Sequence, residues 1–495
     1  MSEESRPTDH VGRLFLEAIR LDMEATEDAL ERARRALAHG VGGFIVFGGA
    51  EPDVARMIDI LRGEVERPLW FAADLERGAG QQFEGAATLP PPAGLAAHPD
   101  PERAVRRAAE ITAHEARQMG INWVLAPVLD LDVEAENPIV GTRSFGADPE
   151  RVARLGRIWI EACQEAGVAA CAKHFPGHGR TLQDSHLAFP VVRADRETLQ
   201  ADLEPFRRSA DVAAGMMTAH VGYPALGGEG PATVEPQLLR ELLRGEMGFG
   251  GLVISDALVM EGFGGGTSAT EGWRAVRALR AGCDLLLYPS DLGESVRTIR
   301  QAAEQDPELA SSLEEALARS QSALERFPSG GDRVEEVSAV EAAEVADLAL
   351  GCVKARGRGP GELLDRDRPL LLRPVSDDAG PFAAGRFGEF LAADLRQRGW
   401  EVEVVEEPAS EGDPPAAQTL VALEATPRAW KGRASLSEAS ASAVHQALRA
   451  ADAGYLLLFG HPRIFEQLDR EGAVAWSSEP VMERAAARWL DERVP

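Results

Sequence analysis

The chain has 495 residues, a formal net charge of −28, and 44% hydrophobic and 27% charged residues. That length exceeds one ordinary domain, and the composition excludes a disordered chain. So negative a field repels polyanions, which argues against nucleic acid and anionic membrane surfaces as partners. In chain order, the short apolar runs are RLFLEAI (13–19), GGFIVFG (42–48), PLWFAAD (68–74), NWVLAPVLDL (122–131), VAACAKH (168–174), AGMMTAH (214–220), GLVISDA (251–257) and CDLLLYP (283–289). Each is apolar almost throughout, as strands buried on both faces of a parallel sheet are. Helical patterns fall between them. TEDALERARRALAHG is one, and ADRETLQADLEPFRRSA is another. DPERVARLGRIWIEACQEAG is a third, with Asp148 as N-cap, Pro149 at the first helical position and Gly167 at the far end.

Strands alternating with helices over about 300 residues predict an α/β fold, a (β/α)8 TIM-type barrel over 1–330, with a doubly wound open sheet as the alternative. The polar segment around 331–345 reads as a linker. Beyond it, RPLLLRPV, WEVEVVEE, TLVALEA and YLLLFGHP alternate with RFGEFLAADLRQRG and ASAVHQALRAAD, predicting a smaller α/β sandwich domain over 346–495. EEPASEGDPPAAQ reads as a loop. The four cysteines, Cys163, Cys171, Cys283 and Cys352, form no CxxC pair, which points to free thiols in a reducing compartment. The N-terminus lacks the basic start and apolar core of a signal peptide, and no apolar run reaches the ~18 residues that span a bilayer. A cytoplasmic protein is the expectation.

In a (β/α)8 barrel the active site lies where the strands end. PLWFAAD ends in Asp74, with Glu76 beyond it. NWVLAPVLDL runs into Asp130 and Asp132. VAACAKH ends in Lys173 and His174, AGMMTAH in His220, and GLVISDA carries Asp256. Asp130 and Asp132 suit turn capping as well as function, and His220 suits a hydrogen-bonded core. Asp256 follows an apolar run, where an unpaired buried carboxylate is costly, so it reads as functional.

The densest chemistry lies in AACAKHFPGHGRTLQDSHLAFP (169–190). His174, His178, Asp184 and His186 are types that ligate zinc, but Pro176 and Gly177 keep the first two off one helix face, and Lys173 adds a competing cation. PGHG lacks the glycine spacing of a phosphate loop. An acid–base reading fits better. A carboxylate at Asp184 orients the His186 imidazole and stabilises its charged form. Asp256 then serves as the attacking carboxylate of a retaining glycosidase, with a histidine in place of the usual second carboxylic acid. No metal and no cofactor are expected.

KHFPGHG followed by DSH, NPIVGTRSFGADPERV (137–152), MTAH (217–220), PAT (231–233) and GFGGLVISDALVMEG (248–262) occur in one order. In these motifs the chain resembles the family 3 glycoside hydrolases, specifically their β-N-acetylglucosaminidase branch, over roughly residues 10–330. The resemblance implies Asp256 as nucleophile, His186 as general acid/base with Asp184 as its charged partner, and Asp74, Arg143, Lys173 and His174 as sugar-binding groups. It implies a barrel followed in several members by an α/β sandwich domain. It also implies hydrolysis of terminal β-linked GlcNAc from a small carbohydrate, such as a peptidoglycan fragment. Two departures stand out. The Asp74-Leu75-Glu76 motif continues Arg77-Gly78-Ala79 where two glycines and an arginine are usual, and Ala257 follows Asp256 where a second aspartate is common. Phosphorolysis is a competing reading, because a deprotonated histidine repels phosphate less than a glutamate does. β-Glucosidase activity and a catalytically silent sugar-binding protein are two others.

Overall fold

The computed structural model describes residues 7–264, 269–330, 339–377, 387–405, 418–425 and 434–495. The chain divides into two compact units. One comprises Met1–Ala87, Val105–Glu134 and Gly146–Glu336, and the other Thr88–Ala104, Ala135–Phe145 and Val337–Pro495. Of the segment expected as a linker, 331–338 lies outside the described residues, and Ala339–Cys352 is helical.

The first unit is a closed barrel of eight parallel strands. They are β1 (Phe15–Arg20), β2 (Gly43–Phe47), β3 (Trp70–Ala73), β4 (Trp123–Val124), β5 (Ala169–Phe175), β6 (Gly215–Thr218), β9 (Leu252–Ala257) and β10 (Leu285–Leu287). A small antiparallel hairpin, β7 (Gly222–Tyr223) and β8 (Gly228–Pro231), lies between β6 and β9 in the chain. Because β1 pairs with both β2 and β10, the sheet has no edge, and the open-sheet alternative is excluded. All eight apolar runs contribute a barrel strand. β4 is shorter than its run because Pro127 brings no N–H to the ladder. The rest of that run stays buried, with Val128 bridging to Lys173.

Alternate residues point inward, as the strand period of two requires. Leu16, Ala18, Trp70, Cys171, Ile254 and Leu287 belong to one interior cluster, which Leu324 and Phe327 extend. The Trp70 and Trp123 rings lie 4.7 Å apart, and Trp70 Nε1 donates to Ser320 Oγ at 3.0 Å. The barrel interior is therefore a packed core, and ligand chemistry is left to the rim. At the N-terminal end of β10, buried Asp284 accepts from Val253 N at 2.8 Å and pairs with Arg244 at 2.5 Å and Arg319 at 2.6 Å. Burial lifts its pKa against the pull of both guanidiniums. The expected helices are present. Asp148 caps Pro149–Glu165 by accepting from Arg151 N at 2.8 Å, and Asp195 caps Arg196–Arg207 through Thr198 N at 2.7 Å.

The second unit holds a six-stranded sheet of β11 (Lys354–Arg356), β12 (Leu370–Ser376), β13 (Val402–Val404), β14 (Gln418–Ala425), β15 (Ala453–Gly460) and β16 (Gly472–Val474). Their spatial order is β11-β16-β15-β14-β12-β13, parallel except for β11. Helices Glu389–Gln397, Glu438–Ala450 and Pro480–Asp491 accompany it. At the end of β14, buried Glu424 accepts from the hydroxyls of Ser376 at 2.8 Å and Ser478 at 2.6 Å. The loop EEPASEGDPPAAQ lies outside the described residues up to Gln418, where β14 begins. All four cysteines are buried and free. Among the described residues no helix is long and apolar enough to cross a membrane.

Candidate active site

Polar side chains gather at the C-terminal ends of β3, β5, β6 and β9 and in the loops that follow. Lys173, near the end of β5, is 2% exposed. Its Nζ lies 2.6 Å from Asp74 Oδ1 and 2.7 Å from Glu76 Oε1. An ammonium so deeply buried needs this compensation. Glu76 is buried with it, whereas the Asp74 side chain keeps 28% of its surface open. The cluster therefore holds one partly open carboxylate, Asp74, fixed in place by a buried cation.

Asp130 is fully buried and acts as an acceptor hub. Its Oδ2 lies 2.6 Å from His174 Nδ1, and its Oδ1 accepts from His174 N at 3.2 Å and His178 N at 2.6 Å. Burial alone raises its pKa, but the charge and hydrogen bonds of His174 and His178 outweigh that and hold it below the ordinary carboxylate value. With Nδ1–H donating to Asp130, the orientation of the His174 ring is fixed. Turn capping, the alternative reading of Asp130, is thus replaced by a positioning role. Neighbouring Asp132 is buried, its N–H on Gly146 O at 3.0 Å.

His178 is buried, and burial pulls its pKa down to about 4, so its ring is neutral at pH 7. Its Nδ1 lies 2.7 Å from Thr181 Oγ1 and its Nε2 3.0 Å from Ser185 Oγ. The Thr181 hydroxyl donates to His178 O at 3.1 Å, so Thr181 Oγ1 accepts from Nδ1–H and Nε2 accepts from the Ser185 hydroxyl. In PGHG, Gly177 holds a φ of +133° and Gly179 allows close backbone approach. A Cβ at Gly179 would fall 2.0 Å from Leu131 O. Among the described residues no group of three or more His, Cys, Asp or Glu side chains is arranged to hold a metal ion.

Further along the same loop lies the dyad. Asp184 is 3% exposed, and its Oδ1 accepts from His186 N at 2.9 Å and His186 Nδ1 at 2.6 Å. Both contacts come from the residue two positions on, so the loop's own turn fixes the ring. The His186 side chain keeps 24% of its surface open. Nδ1 is committed to Asp184, which fixes the orientation of the ring.

β9 delivers Asp256, which is partly exposed and accepts from Ala257 N at 2.8 Å. Burial pushes its pKa up, but His174, His220, His186 and the Ala257 N–H together bring it below the ordinary value. An ionised carboxylate therefore sits within electrostatic reach of three histidines on three other elements. His220, at the end of β6, is fully buried, and burial lowers its pKa to about 4. Its Nε2 donates to Ala257 O at 3.2 Å and its Nδ1 lies 2.8 Å from Thr233 Oγ1. It is a hydrogen-bonded core residue that braces the backbone beside Asp256.

Asp74, Lys173, His174, Asp184, His186 and Asp256 all belong to the barrel unit. Arg143 belongs to the piece Ala135–Phe145 of the second unit, on the turn Gly141–Arg143, where its Nη1 donates to Ile139 O at 3.2 Å. Sequence reading left Glu76, Asp130, His178 and Ser185 without a firm role. For Asp130 the usable signal was a carboxylate closing a run that is otherwise apolar.

The glycosyl hydrolase family 3 N-terminal domain matches residues 16–323. The chain belongs to glycosyl hydrolase family 3. Family 3 relatives include a β-hexosaminidase of Thiobacillus denitrificans, 39% identical over 288 residues, which are 55% of this chain and 78% of that protein. A β-N-acetylglucosaminidase/β-glucosidase of Cellulomonas fimi is 36% identical over 293 residues, 56% of this chain, and the match spans about half (51%) of that protein's length. Among solved family 3 structures, a β-N-acetylglucosaminidase from Paenibacillus sp. str. FPU-7 superposes with a TM-score of 0.84 at 27% identity, covering 99% of this chain and 97% of that one.

Proposed function

We propose that this family 3 protein is a retaining exo-β-N-acetylglucosaminidase acting on terminal β-linked GlcNAc by double displacement. The observation that carries this is the pairing of two groups at one rim. An ionised carboxylate ends β9, and an imidazole held 2.6 Å from a buried aspartate lies on the loop after β5. In the first step Asp256 attacks the anomeric carbon. The bond from that carbon to the leaving oxygen breaks, and His186 Nε2–H delivers its proton to that oxygen. In the second step His186 takes a proton from water as the water attacks the same carbon, and Asp256 leaves as a carboxylate. Asp74, steadied by Lys173, and His174, oriented by Asp130, bind sugar hydroxyls. The names of the Thiobacillus and Paenibacillus relatives support the hexosamine preference.

The natural substrate in this reading is a GlcNAc-containing peptidoglycan fragment met in the cytoplasm. Release of p-nitrophenol from the β-GlcNAc glycoside tests the sugar preference. No release from it, with turnover of the β-glucoside, overturns the assignment. A second reading, phosphorolysis, is favoured by one feature. The negative charge of the dyad sits on a side chain 1% exposed, behind an imidazole that is itself 24% open. Turnover that rises with added phosphate and yields GlcNAc-1-phosphate establishes it, and turnover indifferent to phosphate excludes it.

A further inference from the structure

Ser185 stands between Asp184 and His186 and is buried. Its neighbours Leu182 and Leu187 are 64% and 51% exposed, whereas Ser185 is 2% exposed. Two bonds converge on it, one from earlier in the same loop and one from the segment after β9. Its hydroxyl donates to His178 Nε2 at 3.0 Å, and its carbonyl accepts from Gly262 N at 3.0 Å. Both anchors are fixed. His178 is tied through its N–H to Asp130 and through Nδ1 to Thr181. Gly262 lies in the short helix Glu261–Gly264, shortly after β9, the strand that carries Asp256. A Cβ at 262 would lie 2.8 Å from Ser185 O and 2.9 Å from His220 O, so glycine is what lets the two segments meet.

We propose that Ser185 is a positioning residue, a pin that docks the His186 loop onto the segment following Asp256 and so sets the distance between acid/base and nucleophile. Binding energy plays no part in this. Asp74, Lys173 and His174 are held by other contacts, so loosening the pin leaves sugar binding in place and removes the proton donor from reach for part of the time. The inference rests on the acid/base and nucleophile assignments proposed above.

The test is the dependence of kcat/KM on leaving-group acidity across a series of aryl β-GlcNAc glycosides, since kcat/KM reads the first bond cleavage. Poor leaving groups need the proton, and 2,4-dinitrophenolate does not. General acid catalysis contributes roughly 10²–10⁴-fold. On that scale, H186A loses it in full on poor leaving groups, and S185A loses roughly tenfold on poor leaving groups and under about twofold on dinitrophenyl. S185T, which keeps the hydroxyl, restores most of the loss. G262A, which strikes the other side of the clamp, steepens the dependence in the same sense. Circular dichroism and urea titration confirm that each variant is folded. S185A with the wild-type dependence, or with equal losses on all leaving groups, while H186A steepens it, overturns the pin and leaves the acid/base assignment standing. An H186A enzyme with the wild-type dependence brings down that assignment and this inference with it.

Discussion

Replacing Asp130 by asparagine removes one negative charge and one acceptor from the hub beneath His174. The asparagine oxygen can still accept from His178 N and His174 N, now 2.6 and 3.2 Å from Asp130 Oδ1. The amide nitrogen then faces His174 Nδ1, which lies 2.6 Å from Oδ2. Two donors cannot share that contact, so the ring moves its proton to Nε2 or turns away. A hydrogen bond to a charged group contributes about 1.5–3 kcal/mol, so a loss of about 2 kcal/mol falls on the His174 edge proposed above to bind the sugar. At 1.36 kcal/mol per decade that is a roughly 30-fold drop in kcat/KM. Steady-state kinetics on p-nitrophenyl β-GlcNAc, with urea unfolding in parallel, measures both effects. A D130N enzyme within threefold of wild type refutes the claim that Asp130 sets the His174 tautomer. The folded pKa of Asp130 is depressed, so its contribution to stability is present above the ordinary value of 3.8 and is lost as pH falls through the lower folded value.

D184N removes the carboxylate that orients His186 and is expected to cut kcat/KM on unactivated substrates roughly 10- to 100-fold, with a far smaller loss on dinitrophenyl β-GlcNAc. Equal losses on both would assign Asp184 to folding alone. His220 is buried neutral, with a pKa of about 4 against an ordinary value of 6.5, so the unfolded chain binds the extra proton first. Stability falls as pH drops from about 6.5 towards 4, by about 3 kcal/mol from this group. Urea midpoints for H220Q, which retains an N–H for Ala257 O, are expected to show a flatter acid limb than wild type. An unchanged limb contradicts the assignment of a neutral ring. D284A, at the end of the barrel opposite the site, removes the buried carboxylate that pairs partly buried Arg244 and Arg319 and is expected to cost about 3–5 kcal/mol in urea unfolding. Its kcat/KM is unchanged where the protein remains folded, and a parallel loss of activity would refute the separation of the two ends.

The barrel was legible because each of its strands is buried on both faces and reads as a continuous apolar run, and because Asp256 and Lys173 break two such runs at the end where barrel sites lie. β4 was drawn too long, since periodicity does not register the N–H that Pro127 lacks. β11 and β16, three residues each, are too short to show a period at all. Asp130 stayed ambiguous because its partners lie 44 and 48 positions away, and no local pattern separates a turn cap from a hub. The Asp184–His186 dyad was readable for the opposite reason, its two members being two positions apart. Ser185 carried no signal, since its role arises from a side chain seven positions back and a backbone N–H far along the chain.

Intact-mass analysis followed by peptide mapping, after incubation with a 2-fluoro or 5-fluoro glycoside carrying a good leaving group, tests the covalent role of Asp256 directly. One sugar per chain, ester-linked to Asp256 and absent in D256N, is the expected result. An active enzyme that turns over the reagent with no adduct, or that carries the sugar on another side chain, contradicts it.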